Sequence, residues 1–423
     1  MAGLAAAARA AEAGARVVVV EKGVQPGGSA ALSAGIVWTA PDVETLRRVC
    51  PGGDPVLGRA LVEGFDPAVA WIRAAGVPVS ERWEGQMGFG SAVRVDVAAL
   101  FDAWRRRIER AGAILLGTAG RRLLTTGGRV RGAAVAGPDG EAELEAGAVL
   151  LATGGFQGDA ALRDELVGPP AGAMLVRSNG GSVGDGLRMG RAAGAAVSGC
   201  REGFYGHLVP SPLARWGEAG FLPLTQYHSS HAVLVNRLGR RFTDESLGDE
   251  VSNQAVLRQP GARAVLLFDH GVRTRHAAAA PYPHGQVVDR AAAAEASGAR
   301  FATAASHAAL VDAVAAWGVA RGPLAGSVTA LGEPPLYAVE VQPTITFPFG
   351  GLAVDADGRV LDDGGAPVPG LFAAGADAGG LQDRRYVGGL ALGAVFGPRA
   401  AEAALAASSP LPPRRGRVGV GVK

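Results

Sequence analysis

Two residues near the start of the chain have the types and spacing of a nucleotide-binding site. Gly3 opens an alanine-rich segment that is predicted as a helix, and Glu21 follows the valine run 17–20, which is predicted as a buried parallel strand. In a dinucleotide-binding βαβ unit, a glycine at the helix start allows close packing on the sheet, and an acidic side chain about 20 residues later binds the ribose hydroxyls. Gly3 and Glu21 are therefore predicted to belong to such a unit.

The sequence as given contains only the second half of this βαβ unit. The first strand and the first two glycines of the motif G-x-G-x-x-G would precede Gly3. We therefore expect either that the open reading frame begins further upstream, or that the cofactor cradle is incomplete. In the second case the chain is expected to bind its cofactor weakly.

Glycine-rich stretches mark two further places where the backbone must pass close to a ligand. Residues 27–35 combine glycines with small side chains, a composition that excludes regular secondary structure. The apolar run 148–153, which is predicted as a buried strand, leads into the glycine pair 154–155. Loops in close contact with a ligand are predicted at both places.

Length and charge limit the class of protein. A chain of 423 residues is too long for one ordinary core, so two domains or one domain with an inserted cap are predicted. The formal net charge of +2, from 41 basic and 39 acidic residues, gives no electrostatic basis for nucleic-acid binding.

Cysteine and histidine spacing predicts no metal centre. Cys50 and Cys200 form no Cys-x-x-Cys motif, so we predict buried, reduced thiols and neither a disulfide framework nor an iron–sulfur or zinc site. His270, His276 and His284 lack the spacing of metal ligands and are predicted to lie on the surface.

The apolar segments predict a soluble, cytoplasmic protein without a membrane span. Arg9, Glu12 and Arg16 interrupt the N-terminal apolar stretch, and no cleavage signature follows it, so it is not predicted to be a signal peptide. No apolar run reaches the roughly 18 residues that a spanning helix requires.

The order of the predicted elements indicates an α/β fold with an insertion. Segments 1–200 and 336–407 are predicted to form one nucleotide-binding domain, and 201–335, with its aromatic and histidine residues, a capping domain. The tail 408–423, rich in proline, glycine and arginine, is predicted to be disordered. Within the first segment we predict a helical region that follows residue 35 and continues to about Ala113, and then a β-meander over 129–144.

The segments in their order and spacing resemble the flavoprotein family that includes fumarate reductases, 3-ketosteroid Δ1-dehydrogenases and tricarballylate dehydrogenases. The resemblance covers nearly the whole chain. It implies FAD as cofactor, a Rossmann-like FAD-binding domain whose first strand is missing here, and an inserted α+β capping domain. The segments that carry it are 3–22, 27–38, 152–156, 181–187, 234–245, 349–352 and 368–375.

The resemblance also implies which residues bind FAD. The adenosine end, the pyrophosphate loop and the flavin edge are expected to be held by Gly3, Glu21, Lys22, Gly27, Gly28, Ser29, Thr153, Gly154, Asp185, Gly375, Asp377, Ala391 and Leu392. Asp377 enters this set as a replacement, because the family usually has a glutamate for the ribityl chain where Ala376 stands. Residues 30–33 contain no histidine at the position that links flavin in succinate dehydrogenases, so the FAD is expected to be non-covalent.

Three departures from the family argue against fumarate reduction. Residues 246–250 lack the arginine that donates a proton in fumarate reductases, Phe347 or its neighbour stands where they have a histidine, and Tyr386 where they have an arginine. Residues 386–388 instead resemble the Tyr-Pro-Gly of the ketosteroid and tricarballylate dehydrogenases. A tyrosine hydroxyl there is expected to polarise a substrate carbonyl.

The reaction that the resemblance implies is α,β-desaturation, in which a base removes a proton beside a carbonyl or carboxyl group and FAD takes a hydride. Base candidates in the cap are Tyr205, Tyr227, His228 and His231, of which Tyr227 and His228 are favoured. Arg385, or its neighbour Arg384, is a candidate clamp for a substrate carboxylate.

Two alternatives remain open at this point. One is an enoate reductase that runs the same chemistry in the opposite direction, and the other is a degenerate, non-catalytic flavoprotein. The expected partners are a small-molecule substrate and an unidentified electron acceptor, without nucleic acid. The sequence identifies neither the substrate nor the oligomeric state.

Overall fold

The computed structural model describes residues 1–199, 202–283 and 285–407. The predictions for Cys200, His284 and the tail 408–423 lie outside the described residues. The α-helices, numbered α1 to α12, span Ala2–Glu12, Val43–Val49, Pro55–Ala74, Val97–Ala111, Ala160–Leu166, Asp185–Ala192, Asp249–Leu257, His270–Val272, Arg290–Ala296, His307–Ala315, Arg321–Val328 and Gly389–Ala407. The strands, numbered β1 to β19, span Val17–Val20, Ile36–Thr39, Trp83–Gln86, Gly90–Arg94, Gly112–Leu115, Ala119–Thr126, Arg129–Gly137, Gly140–Glu145, Val149–Leu151, Leu175–Val176, Phe204–Tyr205, Leu208–Pro210, Val233–Val235, Ala264–Phe268, Phe301–Ala304, Leu336–Ile345, Phe347–Pro348, Arg359–Leu361 and Pro367–Ala373.

The N-terminal half-unit has the predicted form. The helix α1 leads into β1, which pairs in parallel with β5. Gly112 stands opposite Val17, and a Cβ at Gly112 would lie 1.7 Å from the Val17 carbonyl oxygen, so only glycine allows this close approach. The α/β prediction for this region is confirmed.

Two strand edges face the same cavity without a strand between them. Besides its pairing with β5, β1 has no strand partner in the described ranges, and β9 pairs there only with β19. Residues of both β1 and β9 line this cavity, and Val18 on β1 is 49% exposed.

The helix α12 lies in the centre of the first hydrophobic core, against α1 and α3. At Gly397 a Cβ would lie 2.6 Å from the Ala2 carbonyl oxygen, so the glycine permits the close crossing of α1. Of the described helices, α12 alone is long and apolar enough to cross a membrane, but 61% of its apolar stretch is buried inside the protein. Such burial is typical of a core helix.

The prediction of a helical region that continues to about Ala113 is wrong in part. Between α1 and α4 the chain forms an antiparallel sheet in the order β2, β4, β3. Trp38 on β2 and Phe89 in the turn between β3 and β4 pack edge to face, with ring centroids 5.7 Å apart. The sheet matters for function because both rings reach the site described below. The predicted β-meander is confirmed as β6, β7 and β8.

The cap has its own sheet and its own cores. The strand β16 pairs with β12, β14 and β15, and two separate apolar clusters pack on this sheet. The sequence assigned residues from 336 onward to the nucleotide-binding domain, whereas pairing places Leu336–Ile345 in the centre of the cap sheet. The bounds of the two domains stay a prediction, but the strand pairing shows that the cap sheet includes β16, whose residues are all buried.

Candidate active site

A cavity of about 2860 Å³ runs between the nucleotide-binding half and the cap. Nearly all of the predicted site residues border it. Those that do are Gly3, Glu21, Lys22, Gly27, Gly28, Ser29, Thr153, Gly154, Asp185, Gly375, Tyr227, His228, Arg385 and Tyr386. Asp377, Ala391 and Leu392 do not border it directly.

At one end of the cavity the half-unit presents a carboxylate. Glu21 follows β1, and its Oε1 accepts the Gly23 backbone N–H at 2.7 Å. The start of α1 packs tightly on the end of β9, since a Cβ at Gly3 would lie 3.3 Å from the Ala152 Cβ. This is the role of the third glycine in a dinucleotide fold.

Lys22 and Asp185 pair with each other. Their Nζ and Oδ2 atoms are 2.6 Å apart, and the Lys22 ammonium also donates to the Gly181 carbonyl at 2.6 Å. The pair ties the end of β1 to the start of α6. Because the two charges offset each other, we interpret both residues as supports for the cavity wall.

The glycine loop after β1 leaves open space toward the cavity. Gly27 has φ of +127°, and a Cβ there would lie 2.9 Å from the Phe101 ring. Gly28 has φ of +52° and no atom within 4 Å of an added Cβ. Ser29 Oγ accepts the Asn179 backbone N–H at 3.2 Å. The loop therefore fits the predicted close passage of a phosphate group.

Asp377 lies behind the cavity wall and does not border the cavity. It is 1% exposed, and its carboxylate accepts the Thr153 hydroxyl at 3.0 Å, the Gly155 N–H at 3.1 Å and the Thr153 N–H. Burial raises the pKa of Asp377, and these hydrogen bonds oppose that rise. Ala376, not Asp377, borders the cavity. The structure therefore corrects the expected direct contact with the ribityl chain, because the carboxylate is used to shape the turn at 153–155.

The amino terminus of α12 faces the cavity one residue earlier than predicted. The Leu392 amide, which the resemblance places at the flavin edge, donates to the Gly388 carbonyl at 3.0 Å and is therefore not available to a ligand. The amides of Leu390 and Ala391 have no backbone acceptor within the described part of the chain. Gly389 and Leu390 border the cavity. A helix N-terminus with free amides favours negative charge beside it.

Tyr386 lies in an aromatic wall at the other end of the cavity. Its ring stacks on Tyr205, with centroids 3.8 Å apart and an interplanar angle of 6°, and contacts Trp38 edge to face at 5.7 Å. The Tyr386 hydroxyl accepts the Gly389 N–H at 2.6 Å. Burial raises the pKa of Tyr386 to about 12, so the phenol keeps its proton at neutral pH.

A histidine that the sequence did not single out lies directly behind Tyr205. The Tyr205 hydroxyl is 2.7 Å from His207 Nε2, and His207 Nδ1 is hydrogen-bonded to the Asp249 carboxylate. His207 is 1% exposed. No local motif signals this group, because Asp249 starts α7 while His207 lies next to β12, and the two meet only in the folded cap.

The two favoured bases have different surroundings. Tyr227 accepts a hydrogen bond from Arg177 Nη2 at 3.0 Å, and the Arg290 guanidinium lies over its ring at 4.9 Å. His228 is 1% exposed, and neither ring nitrogen has a hydrogen-bond partner among the described residues. Burial is the main cause that lowers the pKa of His228 to about 3. His228 is therefore a neutral and weakly basic group.

Arg385 is engaged within the protein. Its Nε donates to Glu250 Oε1 at 2.5 Å, its Nη2 donates to the Met87 carbonyl at 3.0 Å, and its guanidinium lies over the Phe89 ring. Burial, together with the charge of Asp249, raises the pKa of Glu250 to about 7, against the opposing effect of Arg385. Arg385 is thus already paired with the buried Glu250 carboxyl group. Its contact with a substrate carboxylate stays a prediction.

The buried His228 is expected to make stability depend on pH. Its pKa is near 6.5 when unfolded and about 3 in the fold, so the unfolded chain binds the proton more readily as the pH falls below 6.5. The free energy of unfolding should therefore fall by up to about 1.4 kcal/mol per pH unit below that point. In His228→Leu, denaturant titrations should show a smaller loss between neutral and acid pH. The exposed His270→Leu serves as control, and an acid dependence that is equal in both variants would contradict this assignment.

Comparison with known proteins identifies the family. The profile of the FAD binding domain family matches residues 1–392. The chain belongs to the FAD binding domain family. It is similar to a fumarate reductase (cytochrome) from Shewanella frigidimarina, with 29% identity over 95% of this chain and 75% of that protein. A 4-oxocyclohexanecarboxylate 2-dehydrogenase from Sinomonas cyclohexanicum is 30% identical over 64% of this chain and 52% of its own length.

A solved structure confirms the fold. The chain is similar to 3-ketosteroid Δ1-dehydrogenase from Sterolibacterium denitrificans, with a TM-score of 0.77 and 20% identity over 95% of this chain and 97% of that one. The family and the sequence relatives identify a FAD-dependent oxidoreductase that acts on carbon–carbon bonds of small molecules. The family, fold class and cofactor predictions are confirmed at this level.

The described residues fit FAD. The cavity is continuous from the Glu21 carboxylate, past the open side of Gly28, to the free amides at the start of α12. A dinucleotide that carries hydroxyls at one end, phosphates in the middle and a ring that takes negative charge at the other end matches this order of groups. Whether the flavin is linked covalently stays a prediction.

Glu21→Ala is expected to weaken FAD retention without unfolding the protein. Loss of hydrogen bonds from ribose hydroxyls to a charged acceptor costs about 1.5–3 kcal/mol, which corresponds to roughly a 10- to 100-fold higher Kd. The measurement is flavin content after dialysis, together with the Kd from fluorescence titration. Glu81→Ala, an exposed glutamate outside the cavity, is the matched control. Equal flavin content in the two variants would remove Glu21 from the site.

Proposed function

We propose that the protein removes hydrogen across a carbon–carbon bond next to a carbonyl or carboxyl group, with a ketone that also bears a carboxylate as the favoured substrate. The observation that carries this proposal is the hydrogen bond from the Gly389 amide to the Tyr386 hydroxyl. Because the Tyr386 oxygen accepts this bond, its own proton is left for an acceptor in the cavity, and the described residues offer none. A carbonyl oxygen of a substrate is the acceptor that fits.

The chain polarises the substrate in the following way. Tyr386 keeps its proton at neutral pH, so it donates to the carbonyl oxygen and stabilises the negative charge that develops there when the neighbouring C–H bond breaks. Phe347 and Tyr205 bound the same part of the cavity and exclude water from it. When bound, FAD supplies a hydride acceptor for the second hydrogen.

Uncompensated positive charge supports a substrate with a carboxylate. Arg177 and Arg290 border the cavity beside Tyr227, and neither takes part in an ion pair of the described residues. Arg385, in contrast, is opposed by Glu250. A carboxylate that enters on the side of Tyr227 would meet two guanidinium groups, which bind carboxylates well.

The reverse reaction, reduction of an enoate, uses the same groups, and the fumarate reductase relative supports it as the second candidate. An electron acceptor or donor from outside the chain is required in either direction.

We also propose a cytoplasmic location, on the sequence evidence alone.

The test uses the FAD-loaded protein and 4-oxocyclohexanecarboxylate under anaerobic conditions. Bleaching of the visible flavin absorbance by this ketone supports dehydrogenation. Reoxidation of dithionite-reduced protein by fumarate, without bleaching by the ketone, would favour the reductase. No change of flavin absorbance with either compound would contradict both directions for these substrate classes.

A further inference from the structure

We propose that Tyr205 removes the substrate proton, and that His207 and Asp249 form a relay that accepts the proton of Tyr205. Tyr205 is thus assigned as a catalytic residue, whereas His207 and Asp249 are positioning residues that act through it. The inference deepens the proposed dehydrogenation and rests on it. It assigns to the cap a proton acceptor other than the favoured Tyr227 and His228.

The hydrogen bonds fix the direction of the relay. An ionised Asp249 can only accept, so His207 must carry its proton on Nδ1 and donate it to the carboxylate. His207 Nε2 then has a free lone pair, and it lies 2.7 Å from the Tyr205 hydroxyl. The Tyr205 O–H must therefore point toward the histidine. The remaining lone pairs of the Tyr205 oxygen are left to accept a proton from a substrate.

The backbone around His207 is held rigidly. The His207 N–H donates to the Thr344 Oγ1 at 3.1 Å, and the Thr344 hydroxyl donates back to the His207 carbonyl at 2.8 Å. Asn253 on α7 holds Thr344 through two further hydrogen bonds, at 2.9 Å to its carbonyl and 3.0 Å from its amide. This network fixes the His207 main chain, and the hydrogen bond from Nδ1 to Asp249 holds the imidazole itself toward Tyr205.

The position of Tyr205 matches the reaction. Its ring is stacked parallel to Tyr386 at 3.8 Å, and both residues border the cavity, whereas His207 does not. One tyrosine hydroxyl is thus directed to a substrate oxygen while the other, on the neighbouring ring, takes the proton from the adjacent carbon. The relay behind Tyr205 is largely shielded from water, because His207 is 1% exposed and Asp249, which borders the cavity, is 7% exposed.

Burial and the nearby charges keep His207 and Tyr205 uncharged before the reaction. Burial lowers the pKa of His207 and outweighs the charge and hydrogen bond of Asp249, which raise it. The other groups that face the imidazole are Tyr227, whose ring lies at 4.8 Å, and the cations Arg177 and Arg290, which also lower its pKa. Burial raises the pKa of Tyr205 well above its usual value. The phenol therefore gives up its proton only as it receives another.

Two protons and one hydride move in the proposed step. The C–H bond next to the carbonyl breaks and its proton forms a bond to the Tyr205 oxygen, while the Tyr205 O–H bond breaks and that proton moves to His207 Nε2. The electron pair of the broken C–H bond forms the new C=C bond as the β-hydrogen departs as hydride, for which FAD is the acceptor. The imidazolium that results is stabilised by Asp249.

The first measurement needs no substrate. Nitrogen-15 NMR of the histidine rings in the FAD-loaded protein, assigned with His207→Gln, should show His207 as the neutral tautomer with its proton on Nδ1. In Asp249→Asn that tautomer should be lost or mixed, since the amide can donate as well as accept. A wild-type His207 with its proton on Nε2 would overturn the relay, whatever the substrate.

The second measurement follows single-turnover flavin reduction by 4-oxocyclohexanecarboxylate and, in reduced protein, exchange of the proton next to the ketone with solvent deuterium. Both rates should fall about 10²-fold or more in Tyr205→Phe and by a similar factor in Asp249→Asn. The matched control is Tyr337→Phe, a buried tyrosine that does not border the cavity, which should keep both rates. Parental rates in Tyr205→Phe would overturn the assignment.

The two measurements separate the relay from the proposed function. If the ketone neither bleaches the parental protein nor exchanges its proton, the proposed dehydrogenation of such ketones fails, and NMR alone decides the relay. If the parental protein reacts and Tyr205→Phe reacts equally fast, the dehydrogenation stands and the relay fails.

Discussion

Tyr386→Phe is expected to slow flavin reduction by substrate about 10²-fold or more. The variant keeps the aromatic ring that stacks on Tyr205 and loses only the hydroxyl that is free to donate to a substrate carbonyl. Removal of one such donor to a developing oxyanion typically has an effect of this size. The measurement is the rate of anaerobic flavin bleaching in a single turnover, with the ketone that reduces the parental protein.

FAD binding and folding should be nearly unchanged in this variant. The Gly389 amide loses its acceptor, which costs roughly 1 kcal/mol, but the wall of the cavity stays in place. Tyr337→Phe is again the matched control, because it removes a buried tyrosine hydroxyl that does not border the cavity. A Tyr386→Phe protein that is reduced at the parental rate would remove Tyr386 from the mechanism and leave Arg385 as the nearest group able to polarise a carbonyl.

Asp377→Ala is expected to lower the free energy of unfolding by about 3 kcal/mol and to abolish most FAD retention. The carboxylate accepts three hydrogen bonds from Thr153 and Gly155 in a buried site. Without it, two buried backbone N–H groups lose their acceptor, and each such loss costs about 1–3 kcal/mol. The turn that it shapes borders the cavity, so flavin content should fall with stability.

The measurements are chemical denaturation of the apoprotein and flavin content after dialysis. Asp377→Asn retains one acceptor oxygen and should restore a large part of both quantities, which a general packing defect would not allow. Asp363→Ala, an exposed aspartate, is the control for loss of charge. Parental stability and flavin content in Asp377→Ala would show that the turn at 153–155 holds its shape without the carboxylate.

The sequence could not show which of the adjacent residues Ala376 and Asp377 faces the cavity. The family comparison placed an acidic group at this point and offered Asp377 as its replacement, because the two residues are adjacent. Ala376 and Asp377 lie in the 3₁₀ turn Gly375–Asp377 that follows β19, where neighbouring side chains point in different directions, and in the fold the alanine side faces the cavity. The direction of the turn after β19 thus decides which of the two meets the cofactor.

The choice of Tyr205 as proton acceptor also depends on the tertiary structure. Tyr205 was among the residues that the sequence offered, but nothing in the chain singled it out from Tyr227, His228 or His231. Its difference from them lies in His207 and Asp249, which are 42 positions apart in the chain and share no local motif. Only the pairing of β12 with β16 and the start of α7 beside it bring the imidazole and carboxylate together.

By itself the sequence determined the local features of this protein. The helix and strand of the half-unit, Glu21 at the strand end, the glycine loop at 27–28 and the tyrosine before α12 follow from hydrophobic periodicity and motif spacing, which act over a few residues. The tertiary structure alone decided the pairing of β16 within the cap sheet, the small sheet that carries Trp38, and the contacts of Tyr205 and Asp377. These depend on strand pairing and side-chain direction between segments far apart in the chain, where local propensity carries no information.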